Sequence, residues 1–262
     1  MDTTPSDPII KRLPYNIGSG VGERARIGLL VLESDQTIEE EFRLLTTLPG
    51  VSIYHARLKN GADVTTEMLS QMEEQIPKTA RLLPSYLGIK AIGYGCTSGS
   101  TVIGERRVEE ILSEAHKGVP STNPLSAAKA ALKIMGVKRL GLITPYSPNI
   151  TSAMQRNFNN ANLQVTIVGS YFEESDINVG RIDEDSIFNA VISIGESDKC
   201  DGVFISCTSL RAAKIIEKAE KAIDKPVTSS NQALAWHLLR LAGIKDTISG
   251  FGSLFSKKRL IL

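Results

Sequence analysis

Two stretches decide the fold: KAIGYGCTSGST (90–101) and DGVFISCTSLRA (201–212). Each runs from a short apolar segment into Cys-Thr-Ser. The surrounding sequence repeats with them. RIGLLVL (26–32) is matched by RLGLIT (139–144), and VPSTNPLSAAKAALKIMGV (119–137) by PVTSSNQALAWHLLRLAGI (226–244). Three collinear blocks at a spacing of about 110 residues mark two copies of one unit, because internal repeats keep their order and offset.

Each copy alternates strands and helices. The first has strand patterns near 26–32, 51–57, 89–95 and 118–122, and helix patterns near 36–47, 65–84, 102–116 and 124–135. The second has strands near 139–144, 164–172, 202–206 and 226–229, and helices near 149–161, 184–196, 209–223 and 232–242. Near-continuous apolar strands alternating with helices predict an α/β fold, a doubly wound parallel sheet in each copy. Gly136 and Gly243 follow matching helices, where a left-handed C-cap is wanted. The last helix has no further unit to enter. It and the tail GFGSLF are expected to pack back on the first copy. The expected division is an arm (1–24), a first domain (25–122 plus 230–262) and a second (123–229).

Composition narrows the class. The 262 residues carry a formal charge of +1, with no basic stripe for nucleic acid and no apolar run long enough for a membrane. The N-terminal stretch lacks the apolar core of a signal peptide, so a cytoplasmic protein with reduced thiols is expected. His55, His116 and His237 are scattered, neither Cys-Thr-Ser has a CxxC partner, and no GxGxxG or Walker loop occurs. GSGVGE (18–23) precedes the first strand and reads as a flexible joint. No metal and no cofactor is expected.

Parallel sheets bind ligands beyond the carboxyl ends of their strands. Cys96 and Cys207 both fall there, and duplication sets them face to face across the cleft between the domains. Small polar residues follow each: Thr97, Ser98, Gly99 and Ser100, then Thr208 and Ser209. At a helix N-terminus these would hold a carboxylate and lower a thiol pKa from its usual ~8.5. A thiol on each side of a carboxylate suits two-base proton transfer at the neighbouring carbon. The alternative is that each Cys fills space, the reading adopted for Cys200. Asn123 and Asn231, at equivalent positions, either cap the following helices or present an amide to substrate; Ser229 and Ser230 share that loop. His237 reads as packing, His116 as a partner of a helix C-terminus, and Trp236 as a domain or subunit contact. Arg211 and Gly104 lie early in the helices after the cysteine loops, where Arg211 attracts an anion or is simply solvated.

GYGCTSGSTVIG, FISCTSLR, LITPYSPN, SSNQALAWHLLRLAG and GFGSLF resemble the aspartate/glutamate racemase superfamily, over about residues 25–256. Within it the chain resembles the branch of maleate cis-trans isomerases, arylmalonate decarboxylases and ectoine-utilisation racemase-like proteins, the last most of all. The resemblance implies a cofactor-independent isomerase or racemase of a small carboxylic acid, assembled as a homo-oligomer. Cys96 matches the first-domain cysteine of racemases and maleate isomerases, where the decarboxylases carry glycine; Cys207 matches the proton donor that a decarboxylase needs. Thr97 and Ser98 match carboxylate or oxyanion binders, and Tyr146 a tyrosine that contacts substrate. Asp35 stands where maleate isomerases have an asparagine for a substrate carboxylate. A carboxylate there repels that group and suits an ammonium or amide; Asp35 would also cap the helix at 36–47. Asp35, Asn123, Thr208 and Ser209 complete the expected substrate contacts. Three readings remain: a two-cysteine racemase or isomerase, including a variant in which Cys96 adds to a double bond; a decarboxylase using Cys207; and a binding protein that closes on a carboxylate.

Overall fold

Aliphatic runs buried on both faces form parallel strands, and each copy supplies four. The computed structural model describes residues 10–61, 71–258 and 260. In the first copy the strands are β1 (Ala25–Leu32), β2 (Val51–Leu58), β3 (Ala91–Gly95) and β4 (Ser121–Thr122). Its helices are α1 (Ile38–Leu45), α2 (Ile76–Ala80), α3 (Thr97–Ile103), α4 (Glu105–Ala115) and α5 (Pro124–Ile134). The second copy has β5 (Arg139–Thr144), β6 (Gln164–Ser170), β7 (Gly202–Ile205) and β8 (Val227–Ser229). Its helices are α6 (Pro148–Asn160), α7 (Asp176–Val179), α8 (Glu184–Gly195), α9 (Ile216–Ile223) and α10 (Ser230–Leu241).

The sheets have the same order, β2-β1-β3-β4 and β6-β5-β7-β8, and every recorded pairing is parallel. The order reverses between β1 and β3, and again between β5 and β7. Those are the switch points where loops diverge and leave a crevice. Cys96 follows β3 and Cys207 follows β7; Asp35 follows β1 and Tyr146 follows β5. All four leave the sheets at the switch points. None of the described helices is long and apolar enough to cross a membrane.

Local chemistry explains where the elements depart from the sequence pattern. The helix expected at 102–116 is two helices, broken where Gly104 takes φ +95°. Gly136 and Gly243 take the expected left-handed turns, at +82° and +83°. Of the helix expected at 65–84, residues 62–70 lie outside the described residues; the rest is a 3-10 turn, Met72–Glu74, and then α2. The helix expected at 209–223 begins only at Ile216. Main-chain groups that an earlier turn of helix would pair are spent across the molecule: the Ala213 N–H donates to Glu41 at 2.7 Å, and the Ser209 carbonyl accepts from Thr37 at 2.8 Å.

Helix α10 packs on β3, β4 and α1 of the first copy and on α5. The tail's hydrogen bonds go to α10, to α9 of the second copy and, through Ser253, to Met135 at the end of α5. Gln232 donates to the Phe251 carbonyl, and Glu220 of α9 accepts from Ser253 N–H at 2.7 Å. Trp236, expected at a domain or subunit contact, is fully buried and donates to the Lys257 carbonyl at 2.9 Å. Arg240 donates to the carbonyls of Ile244, Asp246, Phe255 and Lys257. A buried guanidinium without a carboxylate in contact is tolerated here because four carbonyl dipoles surround it. Arg240→Leu strands those carbonyls. Urea denaturation is expected to show a loss of about 3 kcal/mol, the sum of a few charge-assisted bonds partly replaced by water.

Candidate active site

Cys96 leaves β3 with an extended backbone and becomes the N-cap of α3, its Sγ accepting the Gly99 N–H at 3.2 Å. Ser98 Oγ lies 3.6 Å from the same sulfur. Cys207 leaves β7 with φ +128°, a conformation L residues avoid. Strain of that kind persists only where neighbours enforce it. Here the Cys207 N–H donates to Ser230 Oγ at 3.0 Å, and the Thr97 hydroxyl donates to the same oxygen at 2.8 Å. One serine therefore ties the two Cys-Thr-Ser loops together. The phenol of Tyr146 lies within hydrogen-bonding reach of Cys207 and within the field of Cys96.

The first-copy turn after β1 grips the second cysteine loop. The Thr37 hydroxyl reaches the Ser209 carbonyl. Glu41 accepts from Ala213 N–H and, at 2.8 Å, from Asn231 Nδ2. Ser34 donates to Asp176, which also accepts from Ser209 Oγ at 2.7 Å. Asp35 Oδ1 caps α1, accepting from Thr37 and Ile38 N–H at 2.8 and 2.9 Å, while its Oδ2 is buried without a partner.

Burial sets the electrostatics. Cys96 is pushed up to about 11, because desolvation outweighs the help of Ser98 and the Gly99 N–H. Cys207 is pushed further in the same direction by burial and then by the charge of Asp176. The lowered thiol pKa expected of both loops is thus corrected: a helix terminus acts only on Cys96, where burial outweighs it, and no helix starts at Cys207. Asp35 rises to about 6 and Glu41 to about 7, both through burial first.

The residues expected around substrate divide. Five lie together: Ser98 beside Cys96, Tyr146 beside Cys207 and in the field of Cys96, and Asp35 in the field of Cys207. Thr97 is spent on Ser230, Thr208 on the Gly95 carbonyl at 3.4 Å, and Ser209 on Asp176. Asn123 is a helix cap: its Oδ1 accepts from Leu125 and Ser126 N–H and its amide donates to Ser126. Asn231 is not its counterpart. Ser229 caps α10, and Asn231 lies inside that helix, facing Glu41 and the Thr208 carbonyl. Cys200 bonds the Ile194 and Ser197 carbonyls, away from the pair. His237 meets Thr122 at 2.8 Å, burial lowering it to about 4, and His116 donates to the Ala80 carbonyl at 2.7 Å, at the end of α2 instead of its own helix. Arg211 is exposed and reaches the Ile182 carbonyl.

Asp176 and Ser34 carry no sequence motif. Tyr94 lies two residues before Cys96 in the first quoted stretch, and Glu41 shares the i, i+3, i+4, i+7 face of Ile38, Phe42 and Leu45, which α1 buries. Among the described residues no three His, Cys, Asp or Glu side chains converge as a metal ion requires.

This architecture has known relatives. Residues 36–255 match the arylmalonate decarboxylase (Amdase) family, and the chain belongs to that family of enzymes. It is 23% identical to the maleate isomerase of Geobacillus stearothermophilus, over 89% of this chain and 98% of that one. It is 27% identical to the arylmalonate decarboxylase of Bordetella bronchiseptica, over 53% and 59%. Its fold superposes, with a TM-score of 0.81 and 22% identity, on a Nocardia farcinica maleate cis-trans isomerase mutant holding a covalently bound succinylcysteine intermediate; the match covers 88% of this chain and 98% of that one.

The raised pKa of Asp35 is a statement about stability. The unfolded carboxyl ionises near its ordinary value of 3.8 and the folded one near 6. Its contribution is present below the lower value and is lost as pH rises through the higher. Asp35→Asn keeps the capping oxygen and removes the buried charge. It is expected to match wild type in thermal unfolding near pH ~4 and to exceed it at neutral pH, by up to about 3 kcal/mol.

Proposed function

We propose that this chain is a cofactor-independent isomerase or racemase acting on a small carboxylic acid, with Cys96 and Cys207 as its acid/base pair. The observation that carries the reading is the Ser230 junction, which joins the two equivalent cysteine loops at one point with Tyr146 beside them. The roles differ. Burial raises Cys207 further than Cys96, so Cys96 is the base and Cys207, held more firmly as the thiol, is the donor. The Cys96 thiolate takes the proton from the carbon beside the carboxylate. Electrons pass to the carboxylate as an enediolate, and the Cys207 S–H delivers its proton to the opposite face. The cycle leaves Cys96 protonated and Cys207 ionised, the state required for the reverse direction, and proton exchange with solvent resets it.

The succinylcysteine on the Nocardia relative supports a second course for an unsaturated substrate. In that course a cysteine sulfur adds to one alkene carbon while the other thiol gives a proton to its neighbour, the resulting single bond rotates, and loss of that proton together with the sulfur restores the alkene. The family match also keeps decarboxylation in view, with Cys207 protonating the enediolate left by carbon dioxide.

Incubation in D₂O with candidate carboxylic acids, followed by NMR and chiral chromatography, separates these courses. Wild type is expected to place deuterium on the carbon beside the carboxylate with loss of chirality. Cys96→Ala and Cys207→Ala are each expected to lose this by at least about 10³-fold, more than a single misplaced general base costs at the low end. Carbon dioxide release that survives Cys96→Ala would replace the isomerase reading with the decarboxylase.

A further inference from the structure

The exposed apolar side chains are not scattered. Single surface hydrophobics are ordinary, whereas a cluster of them marks a contact surface. Among the described residues, seven of the ten large hydrophobics left exposed lie on two segments of the first copy. Ile10, Leu13, Tyr15, Ile17 and Val21 belong to the arm before β1. Leu82 and Tyr86 belong to the turn between α2 and β3. The Arg26 guanidinium joins the two segments, donating to the Ser19 and Val21 carbonyls at the root of the arm and to the Leu87 carbonyl of the turn.

The arm has an apolar side and nothing of its own chain to lay it on. Pro14 holds Leu13 extended, and in an extended chain residues 13, 15 and 17 share one side, apart from Pro14 and Asn16. None of the apolar arm residues joins the core or packs against it, and among the described residues no main-chain hydrogen bond ties residues 10–18 to the body. Ile17 is 88% exposed and Tyr86 86%, so the arm does not cover the turn beside its own root. The arm also lies outside the stretch that matches the family. Length and charge show where it fits. Glu74 and Leu82 flank α2, which sets them on the order of 12 Å apart at the helical rise. An extended chain covers that span in about four residues, the separation of Lys11 from Tyr15. With Ile17 on Tyr86 and Tyr15 on Leu82, Lys11 and Arg12 come to Glu74. Glu74 is exposed and, unlike Glu73, holds no ion pair among the described residues.

We infer that the arm docks along α2 and the 82–87 turn of a second copy of this chain, two chains exchanging arms about a twofold axis. Each chain carries both halves of the contact, the arm and the surface that receives it, so a single rotation satisfies both at once. The arm and the turn together approach the roughly 20–30 residues a side of a standard interface. The contact leaves the cysteine cleft untouched, so it stands or falls independently of the proposed chemistry.

Light scattering and crosslinking on the whole chain test this together. Wild type is expected to run as a particle of paired chains at micromolar concentration. Ile17→Asp in the arm and Tyr86→Asp in the turn are each expected to weaken the pairing by about tenfold or more. Both side chains are exposed in the single chain, so each variant keeps the circular dichroism of wild type. The native cysteines are buried, which leaves introduced surface thiols to react alone with a short bismaleimide. Chains carrying Ile17→Cys, mixed with chains carrying Tyr86→Cys, are expected to give a crosslinked pair joined through residues 17 and 86. One chain per particle for wild type, or a particle whose mass neither aspartate variant lowers, overturns the inference. So does a crosslink that forms within a chain carrying both substitutions and not between the two single variants, because the arm then folds on its own copy.

Discussion

Ser230 Oγ accepts two hydrogen bonds, from the Cys207 backbone N–H and from the Thr97 hydroxyl. The rest of the site depends on that junction. Cys207 sits at a backbone angle that an L residue does not hold unaided, and an accepted N–H on one side with a crowded loop on the other holds it. Ser230 opens α10, a helix whose sequence belongs to the second copy and whose packing partners are β3, β4 and α1 of the first. The helix thus carries the second copy's loop to the first copy's cysteine. Glu41 and Thr37 add bonds in the other direction, from the first copy to the loop after Cys207, and Ser34 reaches that loop through Asp176.

Burial then decides the chemistry. A helix N-terminus stabilises a thiolate by a modest amount, whereas removing a thiolate from water costs more, and both cysteines rest as thiols. The carboxylates are pushed the same way, with Asp35 and Glu41 near neutrality.

The fold was legible because duplication is written in residue order. The blocks around 26–32, 90–101 and 119–137 recur with their spacing intact, and the strand ends follow from them. The cysteine pair was legible for the same reason. What stayed hidden depends on partners distant in sequence. Nothing in SDINVGRID marks Asp176 as a neighbour of Ser34 and Ser209, which only the closed interface brings within reach. Asn123 and Asn231 look equivalent by eye, yet the cap of α10 falls on Ser229, and a shift in helix start turns Asn231 from a cap into a contact of Glu41. The helix after Cys207 was misplaced because its first-turn groups bond across the cleft, a competition that periodicity does not register.

The central claim is that Cys96 and Cys207 face one another closely enough to act on a single carbon. Phenylarsine oxide tests it directly, since trivalent arsenic bridges two thiols only when they can approach within a few ångströms. Mass spectrometry of the treated protein is predicted to show one arsenic per chain, with Cys96 and Cys207 both lost to later alkylation and Cys200 unaffected; either single cysteine-to-alanine variant should fail to retain the adduct against a monothiol wash. An adduct that survives in a single variant, or one that leaves Cys96 or Cys207 free, would contradict the facing pair and the chemistry built on it.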